Sequence, residues 1–179
     1  GYLWVIFDHT KNIDLDEIRK LGGSMVKDVI QIPHSHATVL RFTLPENTKA
    51  GMRQEGLLWI VDLYTNDLAP QVTEMPLFTR KNPQNQNFLF APTNTAGNVI
   101  SVIDPEIGDN IIAAPLVEVG HGINSAYNYP DVEILASEQG LAVVPNASDI
   151  WLTRGNTGLI IRAANRSMNI TENLDSIKR

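Results

Sequence analysis

The sequence predicts a mainly β protein made of two packed antiparallel β modules, sandwich-like, with one short helix in the first. Three observations predict it. The apolar runs are short and bounded by turn residues, as strands are. The one stretch with helical spacing and a signal at each end is confined to residues 13–23. A hydrophobic content of 43% in a chain of 179 residues is ample for a core, in one large domain or two small ones.

Residues 1–8, Gly-Tyr-Leu-Trp-Val-Ile-Phe-Asp, open the first module. Tyr2, Trp4 and Ile6 share one face of this strand and Leu3, Val5 and Phe7 the other, so both faces call for cover. In residues 13–23, Asp14 and Glu17 have capping-box spacing, Leu15, Ile18 and Leu21 share one side, and Gly22 follows the last apolar position. That short helix can cover one sheet face. Residues 26–32 form a second strand, and Pro33 marks a break before a third, with Thr38, Leu40, Phe42 and Leu44 on one face.

Residues 45–51 read as a polar loop, and residues 56–63, Gly-Leu-Leu-Trp-Ile-Val-Asp-Leu, repeat the pattern of the first strand. Aligning Trp4 with Trp59 places Gly1 on Gly56 and Val5 on Ile60. The repeat predicts that both indoles are buried on neighbouring or pseudo-symmetric strands of one sheet system. From Ala69 and Pro70 onward the texture changes, and residues 81–87, Lys-Asn-Pro-Gln-Asn-Gln-Asn, contain no apolar side chain. The expected organisation is therefore a strand–helix–strand module over 1–80, a linker over 81–87, a second β module over 88–163 and a polar tail over 164–179. Short strands are expected at 88–91, 99–103, 111–114, 132–135, 141–144, 150–153 and 159–161, with a hairpin connection at 154–158.

Composition excludes several classes of function. A net charge of -6 offers no basic stripe for a phosphate backbone, so no nucleic-acid partner is expected. With no cysteine, thiol catalysis, disulfide scaffolds and thiolate metal sites are ruled out. No apolar run approaches the ~20 residues that cross a bilayer, so no membrane insertion of this region is expected. No nucleophile elbow or glycine-rich phosphate cradle occurs, no cofactor is expected, and the chain is read as not an enzyme, with no catalytic residue.

Four local features invite a chemical reading. His34-Ser35-His36 has the spacing of two ligands on one strand face but lacks a third, so no metal is assigned. Residues 104–109, Asp-Pro-Glu-Ile-Gly-Asp, read as an acidic turn, since their spacing is not that of a calcium loop. Trp4, Trp59 and Trp151 lie in apolar runs and are assigned to the core instead of to stacking platforms. Residues 120–130 mix glycine, asparagine, serine and tyrosine as binding loops do. There Tyr127 and Tyr129 should project from one side of an extended segment, with Asn124 and Asn128 as neutral hydrogen-bonding partners; these four are the candidate ligand-binding residues.

The runs at 1–8 and 56–63, with Ile-Pro-His-Ser-His-Ala-Thr-Val-Leu-Arg-Phe at 32–42 between them, resemble the β-rich region of large alphaproteobacterial envelope proteins that carry tetratricopeptide repeats. The 104–109 turn and Gly-Leu-Ala-Val-Val-Pro at 140–145 are similar landmarks of the same region. The first module also looks like an AMIN-type domain in its order of strands. These resemblances imply a periplasmic location, flanking domains in a longer parent chain, and an envelope protein or peptidoglycan as partner. The expected function is a non-catalytic recognition or scaffolding module. The competing readings are a metal-dependent enzyme using the His-x-His strand and a purely structural spacer.

Overall fold

The computed structural model describes residues 1–65 and 72–171, and the chain divides into two compact units, Gly1–Gln71 and Val72–Arg179. Residues 66–71, with Ala69 and Pro70, lie outside the described residues. In the first unit the order is β1 (Tyr2–Phe7), α1 (Leu15–Gly22), a 3-10 turn (Gly23–Met25), β2 (Asp28–Ile32), β3 (Thr38–Thr43), β4 (Thr48–Glu55) and β5 (Leu58–Thr65). β3 is the middle of an antiparallel sheet ordered β1-β3-β2, with Val5 opposite Leu40 and Val29 opposite Phe42. Val5, Val29, Leu40 and Phe42 are buried together, and Leu15 and Ile18 of α1 pack against them. The helix starts where the Asp14 carboxylate accepts from the Glu17 N–H at 3.1 Å and stops at Gly23, whose φ of 55° suits glycine. Leu21, expected on the packed side, is exposed.

The β1 motif and its apparent repeat do not share a sheet. β5 pairs with β4 in a two-stranded hairpin, Trp59 opposite Gln54, whereas Trp4 lies opposite Arg41 in the sheet of β1. Both indoles are half-buried. The reason lies at Gly56. It is the first residue of a two-residue turn with φ 59°, as a type II′ hairpin requires, so β5 folds straight back onto a strand that polar residues had disguised. On the opposite face of the first sheet the Arg41 guanidinium lies 4.6 Å from the Tyr2 ring centroid and 5.9 Å from that of Trp4.

The second unit runs β6 (Thr73–Glu74), β7 (Phe78–Lys81), β8 (Asn87–Pro92), β9 (Ile100–Ile103), β10 (Asn110–Ala114), β11 (His121–Gly122), β12 (Tyr127–Asn128), β13 (Val132–Ile134), β14 (Leu141–Pro145), β15 (Ile150–Arg154) and β16 (Gly158–Ala163). A five-stranded sheet ordered β12-β13-β14-β10-β9 and a four-stranded sheet ordered β15-β16-β8-β7 enclose one core. Ile112, Ile134, Leu141 and Val143 come from the first sheet, and Leu89, Leu152, Leu159 and Ile161 from the second. This is a sandwich, two sheets facing each other across apolar side chains, with β10 buried on both faces from Ile111 to Ala114. Each large aliphatic side chain so buried contributes roughly 1.5–3 kcal/mol before entropy is counted.

Two expected boundaries move. Residues 81–87 are not a linker but the connection of the β7–β8 hairpin, with Lys81 opposite Asn87. Their polarity serves the turn: the Asn82 side-chain oxygen accepts from the Gln84 and Gln86 N–H groups at 3.0 and 2.9 Å, and Asn85 takes φ 61°. Nor is the stretch from 164 to 171 a free polar tail. Met168 is 1% exposed within the core, its N–H bonds the Asn87 carbonyl at 3.0 Å, and the Ser167 hydroxyl accepts from the Asn87 N–H at 2.8 Å.

Candidate functional site

The segment 120–130 is a brace. Gly120, at φ 77°, turns the chain into β11, which pairs in parallel with β6. A side chain at Gly122 would place its Cβ 2.2 Å from the Ser137 carbonyl oxygen, so glycine is what lets the two backbones approach. Glu74 on β6 then gathers the loop: one carboxylate oxygen accepts from the Asn124 N–H at 2.7 Å and the other from the Tyr127 hydroxyl at 3.4 Å. The Asn124 side-chain amide donates to the Val72 carbonyl at 3.1 Å. Tyr127 and Tyr129 do share one side, their rings stacked at 6.3 Å and 8°. Both are half-buried against the core because β12 pairs with β13, which sets Tyr127 opposite the fully buried Ile134. Asn128 is exposed opposite Glu133.

His34 and His36 lie in the β2–β3 loop instead of on a strand, and the His34 Nδ1 accepts from the His36 N–H at 3.0 Å. A lone pair used that way is not offered to a metal in this rotamer. Among the described residues no group of three or more His, Asp or Glu side chains could hold a metal ion. Asp104 shapes the β9–β10 turn, its carboxylate accepting from the Glu106 N–H at 2.9 Å while Gly108 takes φ 83°. No helix among the described residues is long and apolar enough to cross a membrane.

A concave surface lies elsewhere in the second unit. Where β9 and β10 approach β15, an open cleft of about 420 Å³ is lined by Ser101, Asn110, Asn146, Ser148 and Trp151, with aliphatic side chains between them. β9 and β15 are the edge strands of the two sheets, so the cleft is the open side of the sandwich. Trp151 is 52% exposed between the buried Ile150 and Leu152. Its assignment to the core is corrected by strand alternation: the flanking residues take the inward positions, and the indole is left outside. That alternation, Ile-Trp-Leu-Thr-Arg, was the signal for it in the sequence.

The polar lining is held in place. The Ser101 hydroxyl donates to the Asn110 side-chain oxygen at 2.6 Å, and the Asn146 amide donates to the Tyr129 and Pro130 carbonyls at 3.4 and 3.3 Å. The β14–β15 connection, which supplies Asn146 and Ser148, is pinned by Arg166. Its guanidinium donates to Asp149 at 2.8 and 3.0 Å and to Asp131 at 2.9 and 3.1 Å. The Arg166 hydrogen bonds pull both carboxyls below their ordinary pKa, at Asp131 with help from the Asn169 N–H, and the two carboxylates raise that of Arg166.

Compared with protein families, curated proteins and solved structures, the chain matches none. What the cleft can do follows from its chemistry. None of its lining residues carries a charge. Its polar lining is the amides of Asn110 and Asn146 and the hydroxyls of Ser101 and Ser148, with no nucleophile–base pair and no cation to hold a phosphate.

Proposed function

We propose that this chain is a non-catalytic recognition or scaffolding module of a bacterial envelope protein, acting in the periplasm on peptidoglycan or on a protein partner. The observation that carries the recognition role is the uncharged cleft at the open edge of the sandwich, with Trp151 half-exposed beside amide and hydroxyl groups. Amide and hydroxyl groups set among aliphatic side chains suit an uncharged ligand. The envelope setting is supported by the resemblance of residues 1–8, 32–42 and 56–63 to envelope proteins. The same setting makes tetratricopeptide helices in the parent chain a source of further partners.

Co-sedimentation with purified peptidoglycan sacculi, alongside capture of envelope proteins on the immobilised module, tests the role. Retention on sacculi, or capture of one envelope protein in stoichiometric amount, is the expected result. Binding to neither would leave a spacer and sink the recognition reading.

A further inference from the structure

We infer that the outer face of the four-stranded sheet docks a polyproline-II segment of a partner protein whose acidic side chains recur at every third residue. This face lies on the other side of the sheet from the residues of β15 that point into the core, and the inference goes beyond the role proposed above. Leu89, Leu152 and Ile161 turn into the core, which sends their strand neighbours outward. Trp151 stands opposite Arg162, and Arg80 opposite Phe88. Ile161 pairs with Leu89, so Arg162 and Phe88, next along each strand, continue that register. The four outward side chains form one row across the sheet, Trp151, Arg162, Phe88 and Arg80, in which aromatic rings and guanidiniums alternate. Phe90 and Phe78, opposite each other, extend the apolar ground beside it. Trp151, Arg162, Phe78 and Arg80 are exposed.

Charge says what fits this face. Arg19, Arg53 and Arg166 each hold a carboxylate, at 2.9, 2.6 and 2.9 Å. Among the described residues no carboxylate pairs with Arg80 or Arg162, and none lies on their face. The Arg80 guanidinium is held by rings instead, 5.0 Å from the Phe78 centroid and 6.0 Å from that of Phe90, which leaves N–H groups to donate to an incoming oxyanion. β8 alone separates the strands of Arg162 and Arg80, so the two side chains start roughly 9.6 Å apart. A polyproline-II helix rises ~3.1 Å per residue with about three residues per turn, so side chains three apart share one side at a spacing of about 9.3 Å. Its carboxylates can then meet both arginines while its prolines lie on the indole and phenyl rings, as such segments do in aromatic-lined grooves. A nucleic acid also stacks on aromatic rings, but it carries a phosphate at every residue, and a chain of net charge -6 opposes that polyanion beyond this row.

The test is selection from a random peptide display library on the immobilised 179-residue chain, followed by fluorescence anisotropy of the selected peptides in solution. The expected result is a set of peptides with prolines between acids three residues apart, whose affinity falls by at least about tenfold when Arg80→Gln and Arg162→Gln are combined. Trp151→Ala, and replacement of the peptide glutamates by glutamine, should weaken binding as well. Both arginines are exposed, so circular dichroism should show their variants folded; if Trp151→Ala does not fold, the arginine variants decide. Selection of no peptide, peptides without that acidic spacing, or an affinity unchanged in the arginine variants overturns the inference. Arginine-dependent binding of oligothymidylate in place of peptide would give the face to nucleic acid, and an arginine-dependent dimer in sedimentation equilibrium would give it to a second copy; either overturns it too. Failure of peptide binding with retention on sacculi intact refutes the docking face and keeps the recognition role.

Discussion

Arg166 ties three stretches of chain together with one guanidinium: its own terminal segment, the β14–β15 connection through Asp149, and the β12–β13 turn through Asp131. An acid-side prediction follows from it. The Asp131 carboxyl has its pKa lowered chiefly by the Arg166 hydrogen bonds and secondarily by the Asn169 N–H. A carboxyl with a depressed folded pKa contributes stability that is fully present above its unfolded value, about 3.9. That contribution is lost as pH falls through the lower folded value. The melting temperature should therefore drop as pH is taken below about 4, and Asp131→Asn should flatten part of that drop while lowering the melting temperature at pH 7. An unchanged acid limb in Asp131→Asn would show that the pair contributes nothing to folding. None of this was legible beforehand, because Arg166, Asp131 and Asp149 are far apart in the chain and each is an ordinary surface residue type.

At the scale of elements, turns decide what the strands become. Gly56 makes β5 the partner of β4, and Asn82 makes a polar run into a hairpin. Gly122 lets β11 lie against the backbone of Ser137 in register with β6. Gly122→Ala should therefore destabilise by about 1–3 kcal/mol, the cost of forcing an added carbon into packed backbone, read by urea unfolding. A Gly122→Ala chain as stable as the parent would mean that β6 and β11 are not held together as described. Strand positions at 2–7, 100–103, 110–114, 141–145, 150–154 and 158–163 were readable from alternation and turn residues. β4, β6, β7, β11 and β12 were not, since two are mostly polar and three are two residues long. Such strands exist through a neighbour's hydrogen bonds and carry little pattern of their own.

For the molecule as a whole, the division lies after Gln71, and each unit owns a separate buried cluster. The second unit, with both sheets and the whole Trp151 cleft, should fold on its own. Residues 72–179 expressed alone are expected to give dispersed amide resonances and one cooperative melting transition. A molten or unfolded product would show that its core is incomplete without the first unit.

By itself the sequence determined the mainly β class and the short capped helix, because short apolar runs and end signals are local and survive in one dimension. It also carried the pairing of Tyr127 with Tyr129 on one side, a consequence of strand geometry alone. Tertiary structure decided which strands are neighbours, where the units divide, and which aromatics are left in solvent. Trp4 and Trp59 look alike in the sequence and stand in different sheets, while Trp151, in an equally apolar run, stands half-exposed at the open edge of the sandwich. Burial depends on what packs against a side chain, and for an edge strand that is settled by residues distant in the chain.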